Sequence, residues 1–248
     1  MNNLEIIPRF KSHYSIGRSC LTLEDAENKI NISAPVSIFS IAKIYGLKQI
    51  YLSDTSFSGF IQFQKGCEKI GAQGIFGIEM CVCADINDKS EESLKTESKV
   101  IIWMKNSAGY RDLVKLYSKG ATDGFYYNAR ISWSVLKEYW TDNLLLTIPF
   151  YDSFLFNNLM LFDHNAMPDF GKIKPTFEIS PMGLPFNDLI TKQLKKYIES
   201  NGYEVIQSVP IFYYSYESFK SFMVFRAISN RSNFNSPNID HLSSNQFC

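Results

Sequence analysis

Short apolar runs alternate with amphipathic stretches along the whole chain. Ile50–Leu52, Gly74–Cys83, Val100–Met104, Asn143–Thr147, Pro175–Ile179 and Glu204–Gln207 read as strands. Val100–Met104 and Leu144-Leu145-Leu146 are apolar at every position. That is the pattern of a strand buried on both faces, and it predicts a parallel sheet covered by helices.

Between the strands the apolar positions change to a helical period. Asn187 and Asp188 open one predicted helix, in which Ile190, Leu194, Tyr197 and Ile198 share a face, and Gly202 closes it. Asn106 and Ser107 are placed to cap another, with Leu113, Val114 and Tyr117 inward and Gly120 at its end. Pro35–Tyr45 and Ser58–Ile70 are amphipathic and stop at Gly46 and Gly71, and Ser218–Ile228 is a further helical unit. Alternation of this kind means an α/β fold. Two segments stand apart: Ala84–Ser98, polar and acidic, predicts a surface loop, and the Asn- and Ser-rich stretch after Ser229 predicts an irregular tail. No repeat or linker divides the chain, so one domain over residues 1–229 and a tail over 230–248 are expected.

Composition narrows the class. The 248 residues are 45% hydrophobic and 15% aromatic, which is ample for a core and excludes disorder as the main state. The 25 basic and 25 acidic side chains balance, against a dedicated nucleic-acid coat. DNA binding no tighter than about 10⁻⁶ M is expected, although Lys192, Lys195 and Lys196 cluster on one predicted helix. Cys20, Cys67, Cys81, Cys83 and Cys248 are odd in number and irregularly spaced, so they read as reduced thiols rather than a zinc site. MNNLEIIPRF has no long apolar stretch behind a basic start, and no run approaches a membrane span; a cytoplasmic protein is expected.

Most catalytic constellations are missing: there is no P-loop and no GxGxxG. His13, His164 and His241 are not spaced as metal pairs, and His164 reads as a surface side chain. His13 follows a possible first strand, where active sites of α/β proteins lie. Asp54 ends a strand and Glu79 lies in Gly77-Ile78-Glu79. Carboxylates there can bind metal, act as a base or pair with a cation, and spacing alone favours a structural ion pair or cap.

Several segments carry a family resemblance. Lys11-Ser12-His13-Tyr14-Ser15, Leu52-Ser53-Asp54-Thr55, Gly59–Gly71 and Gly74–Glu79 resemble, in order, the HxHSxYS, L-T-D-H, helix and I-x-G-x-E motifs of the PHP (polymerase and histidinol phosphatase) domain. Lys105–Leu113 and Gly124-Phe125-Tyr126-Tyr127-Asn128-Ala129-Arg130-Ile131 are similar to stretches of the PHP domain at the N-terminus of bacterial DNA polymerase III alpha subunits, the family C polymerases. The similarity continues through Phe177-Glu178-Ile179, Gly183-Leu184-Pro185 and Val224–Ile228 to Asn245–Cys248, with an insertion around Asp25–Pro35. It implies a distorted (β/α)7 barrel of the PHP type. It also implies that the polymerase palm, with its catalytic aspartates, would follow this stretch.

The departures from the motifs bear on function. The resemblance assigns metal ligands to the positions of Arg9, Lys11, Asp54, Thr55, Glu79, Lys99, Phe150, Pro210 and Phe212, of which Asp54 and Glu79 alone retain a carboxylate. Phe and Pro side chains donate nothing to a metal, and protonated Lys or Arg repels it. A three-metal phosphoesterase centre is therefore not expected, nor any cofactor or catalytic residue; a salt-bridged cluster of Arg9, Lys11 and Lys99 with Asp54 and Glu79 is expected instead. The resemblance implies a replication protein, a structural or docking module for the polymerase core or the proofreading exonuclease subunit, meeting DNA indirectly. The alternatives are a phosphoesterase retaining one metal between Asp54, Glu79 and His13, and a decoy that competes for polymerase partners. With 20 Phe and 14 Tyr, aromatic patches are candidate anchors for such a partner. Phe154 and Phe156 are the expected interface residues, ahead of Phe125-Tyr126-Tyr127 and Phe212-Tyr213-Tyr214.

Overall fold

The computed structural model describes residues 5–31, 33–160, 165, 167–183 and 186–231. Sixteen elements follow in chain order: β1 Ile6–Phe10, α1 Ile38–Ile44, β2 Gln49–Asp54, α2 Phe60–Ile70, β3 Gln73–Cys83, α3 Glu91–Lys95, β4 Ser98–Met104, α4 Ser107–Thr122, β5 Arg130–Ser132, α5 Trp133–Tyr139, β6 Leu144–Ile148, α6 Phe154–Met160, β7 Thr176–Ile179, α7 Asn187–Asn201, β8 Glu204–Ile211 and α8 Tyr216–Ser229. The α/β class expected from the alternation is what the chain adopts.

The chain divides into two compact units, each built from separated stretches. The first comprises the described residues of Ile6–Phe76, Pro181–Pro185 and Ser208–Cys248; the second comprises those of Met1–Glu5, Gly77–Ser180 and Phe186–Gln207. No linker marks this division in the sequence because the boundaries fall inside β3 and β8.

In the first unit β1 and β2 are parallel, with Arg9 opposite Tyr51 and Phe10 opposite Leu52. The end of β8 joins them through the Lys11 amide, which donates to the Ile211 carbonyl at 3.3 Å. α1 starts at Ser37, whose hydroxyl accepts from the Phe39 amide, and packs its buried Ile38, Phe39 and Ile41 inward. α2 comes so close to α1 that a Cβ on Gly66 would lie 2.1 Å from the Phe39 ring, so no larger residue fits. Gly71 ends α2 in the left-handed conformation, φ 71°, as its position predicted.

In the second unit β6, β7 and the start of β8 are parallel. β4, however, runs antiparallel to both of its neighbours, β3 and β6. The uniformly apolar run Val100–Trp103 is buried on both faces as expected, but the parallel sheet inferred from it is corrected here: burial follows from cover on both faces, not from strand direction. Leu145, read as buried, is 48% exposed. β1 and the three-residue β5 were not fully anticipated, and Ala84–Ser98 contains α3 and the first residue of β4 rather than a plain loop.

Two helix signals also read differently in three dimensions. α4 starts at Asn106, whose side chain accepts from the Gly109 amide, but runs past Gly120 to Thr122. Gly120 is a contact point: a Cβ there would meet the Met80 methyl at 2.9 Å and the Arg130 carbonyl at 3.1 Å. α7 ends at Gly202 as expected, yet its start is not capped by Asn187. The Asn187 side-chain Oδ1 instead accepts from the Tyr151 hydroxyl at 3.1 Å. Among the described residues Cys20, Cys67, Cys81 and Cys83 form no disulfide; Cys248, His164, His241 and the tail from residue 232 lie outside them.

Candidate functional site

The candidate positions fall in both units, and each half has its own chemistry. In the first unit β2 delivers Asp54 at its carboxyl end, fully buried. The chain leaving β1 turns at once, and this turn supplies the carboxylate's partners. The Ser12 amide donates to Oδ1 at 2.8 Å, the Ser12 hydroxyl to Oδ2 at 2.5 Å and the Ser15 hydroxyl to Oδ1 at 2.7 Å. Ser15 in turn accepts from the Thr55 amide at 3.0 Å, which ties both ends of the pocket together. Ser12 and Ser15 are themselves fully buried. Asp54 thus sits in a nest of neutral donors, not in the expected ion-pair cluster. The reason is local: two small hydroxyl residues on a tight turn reach both oxygens before a long side chain needs to.

Arg9 and Lys11 are both buried. The Arg9 guanidinium donates to the Ser53 hydroxyl at 2.9 Å. Thr55 is half-buried and holds the pocket through its amide. Pro210 is buried, and the half-buried Phe212 stacks on Phe222 with ring centroids 5.7 Å apart. Its carbonyl accepts from the Cys20 amide and the Ser19 hydroxyl, each at 3.0 Å. His13 lies against Tyr14, centroids 4.3 Å apart, and its buried Nδ1 has no hydrogen-bond partner among the described residues. Burial pushes the Cys20 thiol up to about 11 and the Cys67 thiol up to about 12, so neither is a nucleophile at neutral pH.

In the second unit the antiparallel register of β3 and β4 sets Glu79 opposite Ile101 and Cys81 opposite Lys99. Glu79 and Lys99 are therefore diagonal neighbours on one face. The Lys99 ammonium lies 3.8 Å from Glu79 Oε1 and also bonds the Asp152 carboxylate. The Lys99 amide donates to the Asp152 carbonyl at 2.7 Å, so Asp152 grips the strand twice. This half matches the expected ion pairing, with a carboxylate, Asp152, that sequence reasoning missed. Phe150 is buried and its ring meets Tyr151 edge-on at 4.9 Å.

The expected interface pair is corrected. Phe154 is 1% exposed. Its ring packs against those of Trp133, Phe170, Phe177 and Tyr197, with centroids 6.0–6.5 Å apart. It is core, because α6 turns that face inward. Phe156 is half-buried against Tyr151 at 5.4 Å. The exposed aromatics of this unit include Phe125, Tyr127 and Phe186, at 55%, 74% and 62%, and the first two share one turn.

Beneath them lies a charge that sequence reasoning did not single out. Arg130 is fully buried on β5. It donates to the Gly124 carbonyl at 3.1 Å, the Asp88 carbonyl at 2.8 Å, the Ser93 hydroxyl at 3.0 Å and Glu97 at 3.2 Å. Its guanidinium also lies 5.1 Å from the centre of the Tyr126 ring. Burial raises the Glu97 carboxyl above its ordinary range and outweighs the attraction of Arg130. The signal in the sequence was a lone arginine in an otherwise apolar stretch, preceded by an acidic segment.

The PHP domain family model matches residues 12–202, and the chain belongs to that family. Its fold class is accordingly the PHP-type (β/α)7 barrel, with β5 as a short additional strand. Among curated proteins it is similar to DNA polymerase III subunit alpha of Helicobacter pylori, 34% identical over 119 residues, which are 48% of this chain and 9% of that protein. It is similarly 34% identical to the Borreliella burgdorferi subunit over 113 residues, 44% of this chain and 10% of that protein. The Chlamydia pneumoniae subunit is 33% identical over 98 residues, 38% of this chain and 8% of that protein. The chain thus matches about a tenth of the length of these relatives. No helix among the described residues is long and apolar enough to cross a membrane.

Proposed function

We propose that this chain is a non-catalytic PHP module of DNA replication in the cytoplasm. It acts as a structural or docking partner for a family C polymerase core or its exonuclease subunit, and meets DNA through that partner. One observation carries the reading: both surviving carboxylates are already engaged. Asp54 receives three donors from Ser12 and Ser15, and Glu79 faces the Lys99 ammonium. At the remaining positions of the motif stand Arg9, Lys11, Thr55, Phe150, Pro210 and Phe212. A cation would need acceptor groups there, and this set offers cations, apolar rings and one hydroxyl. The residues do not fit a metal centre.

The test has two arms. The purified chain is mixed with DNA polymerase III subunit alpha and, separately, with the exonuclease subunit of the same cell, and complexes are sought by gel filtration. Co-elution with either supports the reading. In parallel, phosphate release from p-nitrophenyl phosphate is measured with manganese or zinc. Release that chelator abolishes and metal restores would replace the docking role with the one-metal phosphoesterase of Asp54, Glu79 and His13. A complex that displaces the resident subunits and blocks synthesis would favour the decoy.

A further inference from the structure

The turn between α4 and β5 leaves more than half of two large aromatic side chains exposed. Phe125 is 55% and Tyr127 74% exposed. Tyr127 also holds φ at 60°, a left-handed conformation that bulky residues avoid. The turn is nevertheless rigidly built. Lys89 Nζ donates to the Asp123 and Phe125 carbonyls at 2.9 and 2.8 Å. Arg130 clamps the Gly124 carbonyl from below. Gly124 itself is packed so closely that a Cβ would lie 2.0 Å from the Arg130 carbonyl oxygen. The Tyr126 amide donates across the turn to the Asn128 carbonyl at 3.1 Å, and the Tyr126 and Tyr127 rings meet edge-on at 4.8 Å. The backbone that carries both aromatic anchors is thus fixed before any partner arrives, which lowers the ordering cost of an interface.

The charge around the turn selects the partner. The segment that braces it carries exposed Asp85, Asp88, Glu91 and Glu92. Its Lys95 is paired with Glu92 at 3.1 Å, and the Lys89 ammonium, bonded to the two carbonyls, offsets part of the remaining negative charge, which still predominates. Hydrogen bonds from Ser90 hold the Asp88 carboxyl below its ordinary range, so this edge stays anionic. Such an edge repels phosphates and attracts lysine and arginine.

We propose that Phe125 and Tyr127 form a preorganised docking surface for a protein that offers an apolar pocket rimmed by basic side chains. Resting on the replication role proposed above, that pocket lies on the polymerase chain. Binding of the whole chain to purified DNA polymerase III subunit alpha of the same cell is measured by titration calorimetry. Phe125→Ser/Tyr127→Asn removes both rings, and asparagine tolerates the left-handed turn. This double variant should keep the wild-type melting transition and bind roughly 30-fold more weakly, the loss expected for a hot spot. Glu91→Gln/Glu92→Gln should slow association several-fold and flatten its salt dependence. Wild-type affinity in the aromatic variant would overturn this surface and leave the docking role standing. So would binding to the exonuclease subunit alone, untouched by that variant. Absence of any complex between the wild-type chain and either subunit would overturn the docking role, and this surface with it. Tight binding of fluorescent oligo(dT), lost in the aromatic variant, would replace the protein partner by single-stranded nucleic acid.

Discussion

Asp54 in the first unit and Arg130 in the second are buried charges held in different ways. In the first, the Asp54 anion is solvated by one amide and two hydroxyls, none of which carries a charge. In the second, Arg130 has a carboxylate, a hydroxyl and two carbonyls, and Lys99 has two carboxylates. Dipoles supplied by a tight turn stay where the backbone puts them, whatever the salt. Counter-ions depend on each other: removing one strands the next.

The difference is most severely tested at Arg130. Arg130→Met leaves Glu97 without its ion-pair partner and the Gly124 carbonyl without its guanidinium donor. Breaking a buried pair from one side costs about 3–5 kcal/mol. A fall of that size in urea stability, at unchanged m-value, is the expected result. A loss under about 1 kcal/mol would mean the site relaxes into water.

Asp54→Ala is the next largest. It strands three buried donors, at about 1–3 kcal/mol for the set once the turn relaxes. Because the partners are neutral, the loss should be the same in low and in 0.5 M salt (roughly 4 Å Debye length). A loss that shrinks with salt would show a counter-ion at work and erase the contrast between the units.

The smallest effect is at Glu97. Its folded carboxyl titrates above the ordinary value of 4.5 because burial opposes ionisation. The stabilisation this gives is complete below the unfolded value and disappears as pH rises through the folded one. Thermal scans from pH 4 upward should show that decline in the wild type and not in Glu97→Gln.

Much of the fold was legible because local rules and tertiary packing agree. Gly71 and Gly202 close α2 and α7, and Asn106 opens α4, as their positions imply. Gly120 misled, since a stop signal and a close contact use the same residue. β1 is hard to see because Pro8 and Arg9 interrupt its apolar pattern, and β5 because three residues carry no period. In the candidate site, Asp54 and Glu79 stood out as carboxylates in strands, but their surroundings did not. Ser12 lies 42 residues from Asp54 and Asp152 lies 53 from Lys99, so their roles exist only after folding. The aromatic triplets show the same limit. Phe154-Leu155-Phe156 and Phe125-Tyr126-Tyr127 look equivalent on paper. One lies on a helix facing the core, and the other on a turn fixed by a buried arginine.

The interleaved path of the chain sets a clock on its synthesis. In the first unit the Ser19 hydroxyl and the Phe212 carbonyl that it bonds are 193 residues apart. At ribosomal speeds of roughly 5–20 residues per second, the earlier segment waits about 10–40 s for its partner. During that interval Phe10, Leu21, Leu23 and Leu52, all buried in the finished molecule, lack part of their cover. The nascent chain is therefore a natural client for chaperones that hold apolar segments near the tunnel exit, and slower codons late in the message would lengthen that dependence.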